Sequence, residues 1–303
     1  MEKSRLVLWS SFENYEIFRP QVLLEEAKGN IEIVAVIFLD EDVVSNIDGY
    51  SVIRVEELLQ MSFDYVVGLE NDILDDMQRI LEMLKIPREK LLAGRIFNLP
   101  NFDFAKYIQV RKERVSIISD NCWGGFTYHS LGMPFFSPFI NLFVQKEDVF
   151  RLMQNLPKYM EYPLEFVEYR YEKNRKVDYP VCRLGDVTIH CNHYDSYEEA
   201  VRIWNRRKSH INWENIFVKV LIETESELEE FEKIPYRKIG FSCVPTDRCD
   251  VIDFSNIVKT EYFQEKYKGR FWELVNWEAR TDRVELKYYD VMKLLLGESD
   301  YRR

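Results

Sequence analysis

The sequence predicts an α/β protein with two domains, an N-terminal domain built on a parallel sheet and a larger C-terminal α/β domain with a mixed sheet. Three observations lead to this prediction. The chain has 303 residues, which is long for a single hydrophobic core. Its first third alternates apolar runs of strand length with stretches of helical period. A turn-rich joint at residues 98–101, followed by a charged cluster, ends this region, so we place the domains at residues 1–112 and 113–303.

The N-terminal domain is predicted to alternate strands with helices. The predicted strands are residues 5–9, 31–39, 51–54 and 63–69. The predicted helices are residues 15–28, 55–60 and 72–84. The run IEIVAVIFL at residues 31–39 is typical of a strand buried on both faces of a parallel sheet. We therefore expect βαβ units with right-handed crossovers.

This order of elements is Rossmann-like, and the turn after the first strand tests that interpretation. A dinucleotide fingerprint places G-x-G-x-x-G at this turn so that the backbone can approach a pyrophosphate. Residues 9–14 read WSSFEN and contain no glycine. The sequence therefore predicts no NAD or FAD and no other cofactor. Ser10 and Ser11 are expected to cap the following helix, with phosphate binding as the alternative.

Composition excludes several classes of partner and site. The net charge of −11, without a long basic stripe, argues against a nucleic-acid partner. The sequence contains no run of about 18 apolar residues, so it predicts no transmembrane helix. Its start, MEKSRLVLWS, does not resemble a signal peptide, and we therefore expect a cytoplasmic protein. Five scattered cysteines favour a reduced chain without disulfides. His190 and His193 would point to opposite faces of a strand, so no metal site is expected.

The C-terminal domain is predicted to contain further strands and helices. The predicted strands are residues 115–119, 163–171, 187–194, 216–222 and 238–244. The predicted helices are residues 148–159, a helix capped by Ser196 and Glu199, and residues 226–232, 271–277 and 291–296.

A polar and glycine-rich segment follows the first of these strands. It consists of Asp120, Asn121, Cys122, Trp123, Gly124 and Gly125. Open α/β sheets bind ligands at the carboxyl ends of their strands, and paired glycines permit close backbone approach. Cys122, placed before a helix, would have a lowered pKa and would act as a nucleophile. The alternative is an inert packed cysteine.

A second polar segment, residues 187–215, contains three of the four histidines. His193 is a candidate general base because the pKa of histidine suits neutral pH. The candidate ligand-binding residues of this segment are Tyr194, Trp204, Arg206, Arg207 and Asn212. Trp and Arg suit a glycan or a phosphate. The structural alternative places Trp204 in the core and pairs Arg207 with Asp186 or Asp120.

Residues 117–131 and 185–215 together resemble a bacterial family usually described as exopolysaccharide biosynthesis proteins, whose domain has no assigned function. The N-terminal region resembles the small Rossmann-like domains fused to bacterial sugar-modifying enzymes. The resemblance implies a surface-glycan pathway. It also implies these signature positions: Asn121, Cys122, Trp123, Gly124, Gly125, His193, Tyr194, Trp204, Arg206, Arg207, Ile211 and Asn212.

The leading functional hypothesis is a glycosyl or acyl transferase of surface-glycan biosynthesis. It would act on a small-molecule or glycan substrate, with a nucleotide-activated donor as one option. In this hypothesis His193 is the base, the loop from Asp120 to Gly125 and the arginines hold a phosphate or an oxyanion, and Cys122 is a candidate nucleophile. A noncatalytic nucleotide- or glycan-binding protein is the first alternative. A hydrolase dependent on Cys122 is the second.

Overall fold

The computed structural model describes residues 3–39, 45–173, 175–277 and 288–302. It confirms the α/β class, with parallel and antiparallel strands and helices between them. The strands are β1 (Ser4–Ser10), β2 (Ile31–Phe38), β3 (Asn46–Ile47), β4 (Tyr50–Ser51), β5 (Tyr65–Gly68), β6 (Leu91–Ala93), β7 (Ser116–Ser119), β8 (Phe143–Val144), β9 (Leu164–Glu172), β10 (Val177–Leu184), β11 (Val187–His190), β12 (Ile216–Ile222), β13 (Arg237–Ser242) and β14 (Val251–Asp253). The α-helices are α1 (Phe12–Ala27), α2 (Leu74–Met83), α3 (Phe104–Glu113), α4 (Trp123–Ser130), α5 (Val149–Gln154), α6 (Leu156–Glu161), α7 (Tyr197–Lys208), α8 (Glu225–Glu232), α9 (Glu261–Tyr267), α10 (Phe271–Trp277) and α11 (Val291–Leu296).

The chain divides into two compact units, the first formed by Met1–Gln109 with Ser130–Gly132. Its sheet has the order β2-β1-β5-β6, and all of its strands are parallel. β1 lies inside this sheet and is buried from Leu6 to Ser10, as expected of a strand covered on both faces. Ser11 caps α1 by accepting a hydrogen bond from the amide of Asn14.

One predicted strand of this unit, residues 51–54, is wrong in extent. The chain instead makes a short hairpin, β3–β4, around Asp48 and Gly49, which both have positive φ. Beyond β4, Val52 forms a single bridge to Val36. The apolar run at residues 51–54 is short, and the turn at Asp48 and Gly49 determines the local structure instead.

The second unit, Val110–His129 with Met133–Arg303, contains two sheets. One is parallel, in the order β14-β13-β12-β7, and the other is antiparallel, in the order β8-β11-β10-β9. Both pairing directions expected of a mixed sheet therefore occur, but in separate sheets. The division between the units falls within α3, as does the sequence-based boundary between residues 112 and 113.

Both sheets of this unit contribute to one hydrophobic core, which contains Val218 and Ile222 of β12, Cys182 of β10 and Trp204 of α7. Across the described residues, no helix has the length and apolar character needed to cross a bilayer.

Candidate functional site

The C-terminal unit contains a cavity of about 600 Å³ at the carboxyl ends of β7 and β12. The antiparallel sheet forms another wall of this cavity through Phe143 of β8, Glu172 of β9 and Tyr179 of β10. Parallel sheets place their ligands at this end of the strands, and the volume suits a small molecule. The sequence prediction of a site after β7 therefore coincides with the position of this cavity.

A buried ion pair joins Asp120, which lines the cavity, to Lys219. The Lys219 side chain is fully buried in β12, and its Nζ lies 2.9 Å from Oδ1 of Asp120. Oδ2 of Asp120 accepts a hydrogen bond from the amide of Leu221 at 2.7 Å. Burial lowers the pKa of Lys219, whereas Asp120 opposes that shift. The pair ties the end of β7 to β12 and fixes the first residue of the polar loop.

The same lysine fixes the orientation of Asn121. Oδ1 of Asn121 accepts hydrogen bonds from Nζ of Lys219 at 3.1 Å and from the amide of Trp123 at 3.1 Å. Both donors require an oxygen, so the amide group cannot be reversed without losing two bonds. Nδ2 of Asn121 is consequently the free end of a side chain that lines the cavity.

Three residues that line the cavity have a buried polar atom without a hydrogen-bond partner among the described residues. The atoms are Nδ2 of Asn121, Oε2 of Glu172 and Oδ1 of Asn192. Within the described part of the chain, Oε2 of Glu172 has only an ionic contact, 3.9 Å from Nη1 of Arg175. Buried polar groups are normally paired, and each unpaired group costs about 1–3 kcal/mol. One donor and two acceptors on residues that line the cavity therefore have no partner within the described part of the chain.

Aromatic rings and charged side chains complete the lining. Trp272 and Tyr171 are exposed, and Phe143 and Phe150 are half-buried. Phe143 stacks on His190 with ring centroids 4.3 Å apart. Lys146, which also lines the cavity, forms ion pairs with two glutamates of the lining. Its Nζ lies 2.6 Å from Oε2 of Glu223 and 3.7 Å from Oε1 of Glu227. These two carboxylates raise the pKa of Lys146 although burial alone would lower it.

Cys122 lines the cavity, but its chemistry differs from the sequence-based expectation. Burial raises the pKa of its thiol to about 11, and nearby Lys219 offsets this only in part. The thiol is therefore protonated at neutral pH, and the predicted lowering of its pKa is wrong. The sequence places Cys122 before a helix but does not show that its surroundings partly bury the side chain.

We expect iodoacetamide to alkylate Cys122 at least roughly tenfold more slowly than exposed Cys249 at pH 7.5, because the thiolate is the reactive form. The rate at Cys122 should continue to rise with pH up to about 11. Mass spectrometry of the two peptides measures both rates. Fast alkylation of Cys122 that levels off below pH 8 would restore the nucleophile hypothesis.

The glycines of the loop serve packing in this structure. A Cβ on Gly124 would lie 2.8 Å from Oγ of Ser119, which is too close. The amide of Gly124 donates to that same hydroxyl at 3.1 Å, and the amide of Trp123 is held by Asn121. Gly125 meets Ile140 at an ordinary contact distance. The amides of Trp123 and Gly124 are thus bonded within the chain and are not free to bind an oxyanion.

The two histidines after β10 differ in position. His193 is exposed and is not among the cavity-lining residues, and burial of part of its ring, with Arg175 nearby, lowers its pKa. His190 is buried, and burial lowers its pKa to about 4, so it is neutral at pH 7. Its Nε2 lies 2.8 Å from Oε1 of Gln145, which assigns the proton to Nε2 and the acceptor role to Nδ1. Among the described residues, no cluster of three or more His, Cys, Asp and Glu side chains has a metal-binding arrangement.

The other predicted ligand-binding residues lie outside the cavity lining. Trp123 and Trp204 are buried, and Trp123 donates from Nε1 to the hydroxyl of Tyr289 at 2.8 Å. Asn212 donates from Nδ2 to the carbonyls of Glu113 and Arg114 and so holds two backbone segments together.

Arg206 is exposed, and Arg207 is buried on the same helix. Arg207 donates from Nη1 to the hydroxyl of Tyr194 at 2.8 Å, and its guanidinium lies over the ring of Phe135. Tyr194 in turn donates to the carbonyl of Ile140. The predicted ion pair of Arg207 with Asp186 or Asp120 is therefore wrong, because α7 faces a tyrosine and a carbonyl rather than a carboxylate.

In the N-terminal unit, the side chain of Glu70 lies at the N-terminus of α1. Its carboxylate accepts hydrogen bonds from the amide and hydroxyl of Ser11 and from Nδ2 of Asn14. Burial alone would raise the pKa of Glu70, but these bonds outweigh it and lower the pKa. A carboxylate of the chain itself thus occupies the groups that a phosphate would use in a nucleotide-binding domain.

Replacing Glu70 by alanine should reduce the stability of the N-terminal unit by about 1–2 kcal/mol at pH 7. Because the folded pKa of Glu70 is depressed, its contribution is complete above the ordinary glutamate pKa of about 4.3 and is lost as pH falls through the folded value. Hydrogen exchange of the α1 amides measures the effect. The exposed Glu56→Ala change is the control, and an equal loss in both variants would contradict the capping role.

The comparisons with known proteins concern both units. Residues 93–295, well over half of the chain, match the family described as "Domain of unknown function (DUF1919)". Residues 2–92 match the family described as "C2185-like, N-terminal". An uncharacterized protein of Haemophilus influenzae is 32% identical over 187 residues, which cover 60% of this chain and 82% of that protein. The chain therefore belongs to the DUF1919 family, a domain family whose function is unknown.

Proposed function

We propose that the C-terminal unit binds a carbohydrate in the cavity at the ends of β7 and β12. The observation that carries this proposal is the set of three unpaired polar atoms on Asn121, Glu172 and Asn192. A sugar hydroxyl both donates and accepts, so neighbouring hydroxyls can satisfy one donor and two acceptors. The exposed rings of Trp272 and Tyr171 offer apolar faces against which a sugar ring can lie.

The charges of the cavity favour a ligand without phosphate at this position. Two of the lysines in or behind the wall are already paired, Lys219 with Asp120 and Lys146 with Glu223. Lys173 is the remaining lysine among the lining residues, and it is exposed at the rim. A phosphate would have to approach several carboxylates to reach the unpaired atoms, which opposes its binding.

The surface-glycan pathway remains part of this proposal because a glycan-binding cavity suits it. A noncatalytic glycan-binding protein is the form that the geometry supports best. The thiol of Cys122 is protonated, His193 is outside the lining, and the amides of Trp123 and Gly124 are bonded within the chain. None of these observations supports a thiol hydrolase or an oxyanion site.

Glycosyl transfer is the second candidate, and Glu172 favours it. Its Oε2 atom accepts no hydrogen bond from the described residues and is turned away from bulk solvent. Such an oxygen can accept the proton of an acceptor hydroxyl while the hydroxyl oxygen bonds to the anomeric carbon of a donor sugar. The bond from that carbon to the leaving group then breaks, and the leaving group departs with the electron pair.

A thermal-shift and calorimetric screen tests the proposal. The ligands are neutral monosaccharides and oligosaccharides, uronic acids, nucleotide-sugars and free nucleotides. A ligand at 100 times its dissociation constant should stabilise the protein by about 2.7 kcal/mol. Binding of sugars without a nucleotide supports the proposal. Binding of free nucleotides with no response to any sugar would contradict it. Release of nucleotide from a nucleotide-sugar in the presence of an acceptor separates the transferase from the binding protein.

A further inference from the structure

The edge strand β9 is exposed along most of its length. It is nine residues long, and the seven residues from Glu165 to Tyr171 are all exposed. Among the described strands it pairs only with β10, and it lies at the outer edge of the four-stranded antiparallel sheet. Its other side therefore presents backbone donors and acceptors that another strand can pair with.

Large apolar side chains are concentrated on this strand. Phe166, Val167, Tyr169 and Tyr171 are between 43% and 56% exposed. Val177, at the start of the neighbouring strand β10, is also exposed. Exposed apolar side chains of this size along an edge strand are typical of an interaction surface rather than of a solvent-facing sheet.

The charges of β9 are complementary to those of the same strand running in the opposite direction. If Tyr169 lies opposite Tyr169 of a second copy, Glu168 of each copy lies opposite Arg170 of the other. We propose that β9 pairs with β9 of a second copy of this chain about a two-fold axis at Tyr169, joining the two four-stranded sheets into one.

The features of this strand that discourage other pairings agree with the proposal. Val181 pairs with Glu168 and Cys182 with Phe166, so Val167 is the extra residue of a β-bulge. Bulges and charges on edge strands prevent pairing with arbitrary strands. A shift of the two-fold axis to Glu168 or to Arg170 would place like charges opposite each other. The charges therefore select the register centred on Tyr169 over its neighbours.

The charged residues that the dimer needs are accessible. Glu168 and Arg170 lie 2.7 Å apart within one chain, and both side chains are about half exposed, at 51%. An exposed pair of this kind contributes little to stability, so exchanging it for two pairs across the axis costs little. Substitutions at either residue are accordingly expected to leave the fold intact.

Analytical ultracentrifugation of charge-reversal variants tests the register. The wild type should be a dimer, and Glu168→Arg or Arg170→Glu alone should weaken it roughly tenfold or more, because each creates two like-charge pairs. An equimolar mixture of the two single variants should dimerise again, since every pair across the axis is then complementary. The double variant Glu168→Arg/Arg170→Glu should also dimerise. Glu198→Arg, an exposed change on α7, is the control and should leave the dimer unchanged.

Three outcomes would overturn the proposal. A wild type that is monomeric at every concentration excludes the dimer. A dimer that persists in both single variants belongs to another surface. Loss of glycan binding in Tyr169→Ala, together with a monomeric wild type, would assign the strand to a glycan instead. Because none of the dimer measurements uses a sugar, their result is independent of the proposed carbohydrate site.

Discussion

Replacing Lys219 by methionine is expected to lower the free energy of unfolding of the C-terminal unit by about 3–5 kcal/mol. The substitution leaves Asp120 buried without its cation, and among the described residues only the amide of Leu221 still donates to its carboxylate. It also removes one of the two hydrogen bonds that orient Asn121. Urea denaturation followed by tryptophan fluorescence measures the loss.

The double variant Asp120→Asn/Lys219→Met is the matched control. It removes both charges and keeps an oxygen that can accept from the amide of Leu221. We expect it to be more stable than Lys219→Met alone, since replacing a whole buried pair costs less than breaking it. If Lys219→Met costs less than about 1 kcal/mol, or if the double variant is the less stable of the two, the pair does not hold the loop as described.

Replacing Glu172 by alanine should weaken carbohydrate binding by roughly 10- to 100-fold, because hydrogen bonds to a charged group are worth about 1.5–3 kcal/mol. The fold should be unaffected, since Oε2 of Glu172 bonds to no described residue and its ionic contact with Arg175 is long. Isothermal titration calorimetry with the sugar identified by the screen gives the affinity.

Glu229→Ala, which removes an exposed carboxylate from α8, is the control for this change. Its affinity for the sugar should equal that of the wild type. Equal affinities in all three proteins would mean that the unpaired oxygen of Glu172 does not meet the ligand. That result would contradict both the binding proposal and the transferase candidate, because both assign a ligand contact to Glu172.

Much of the fold follows from local patterns. The apolar runs of β1, β2 and β12 and the capped start of α7 were predictable because burial and capping leave a signal within a few residues. The division into a parallel and an antiparallel sheet was not predictable in this way. Strand direction depends on pairing between segments far apart in the chain, such as β7 with β12, and no local pattern records it.

The site was predictable in one part. The polar loop after β7 indicated the end of the sheet at which the cavity lies, and Asp120, Asn121 and Cys122 line that cavity. Lys219 was missed although it left a signal, since a lysine inside the apolar run IFVKVLI must be buried and therefore paired.

Other cavity residues left no such signal. Glu172 ends a strand of alternating charged and aromatic residues, and Trp272 lies near the start of a short helix close to the carboxyl end of the chain. Tertiary contacts between distant segments bring both to the cavity. Trp204 and Arg207, which the sequence offers as ligand-binding residues, are buried and do not line the cavity, and their residue types alone could not distinguish a core position from a binding site.

The most direct test of the carbohydrate site compares two exposed tryptophans. Trp272 lines the cavity and is 46% exposed, whereas Trp213 is 47% exposed and does not line it. Calorimetric titration of the identified sugar into Trp272→Ala and Trp213→Ala should give an affinity roughly tenfold lower for the first and unchanged for the second, because only the first loses a ring that packs on the ligand. Equal affinities in the two variants would contradict binding in this cavity.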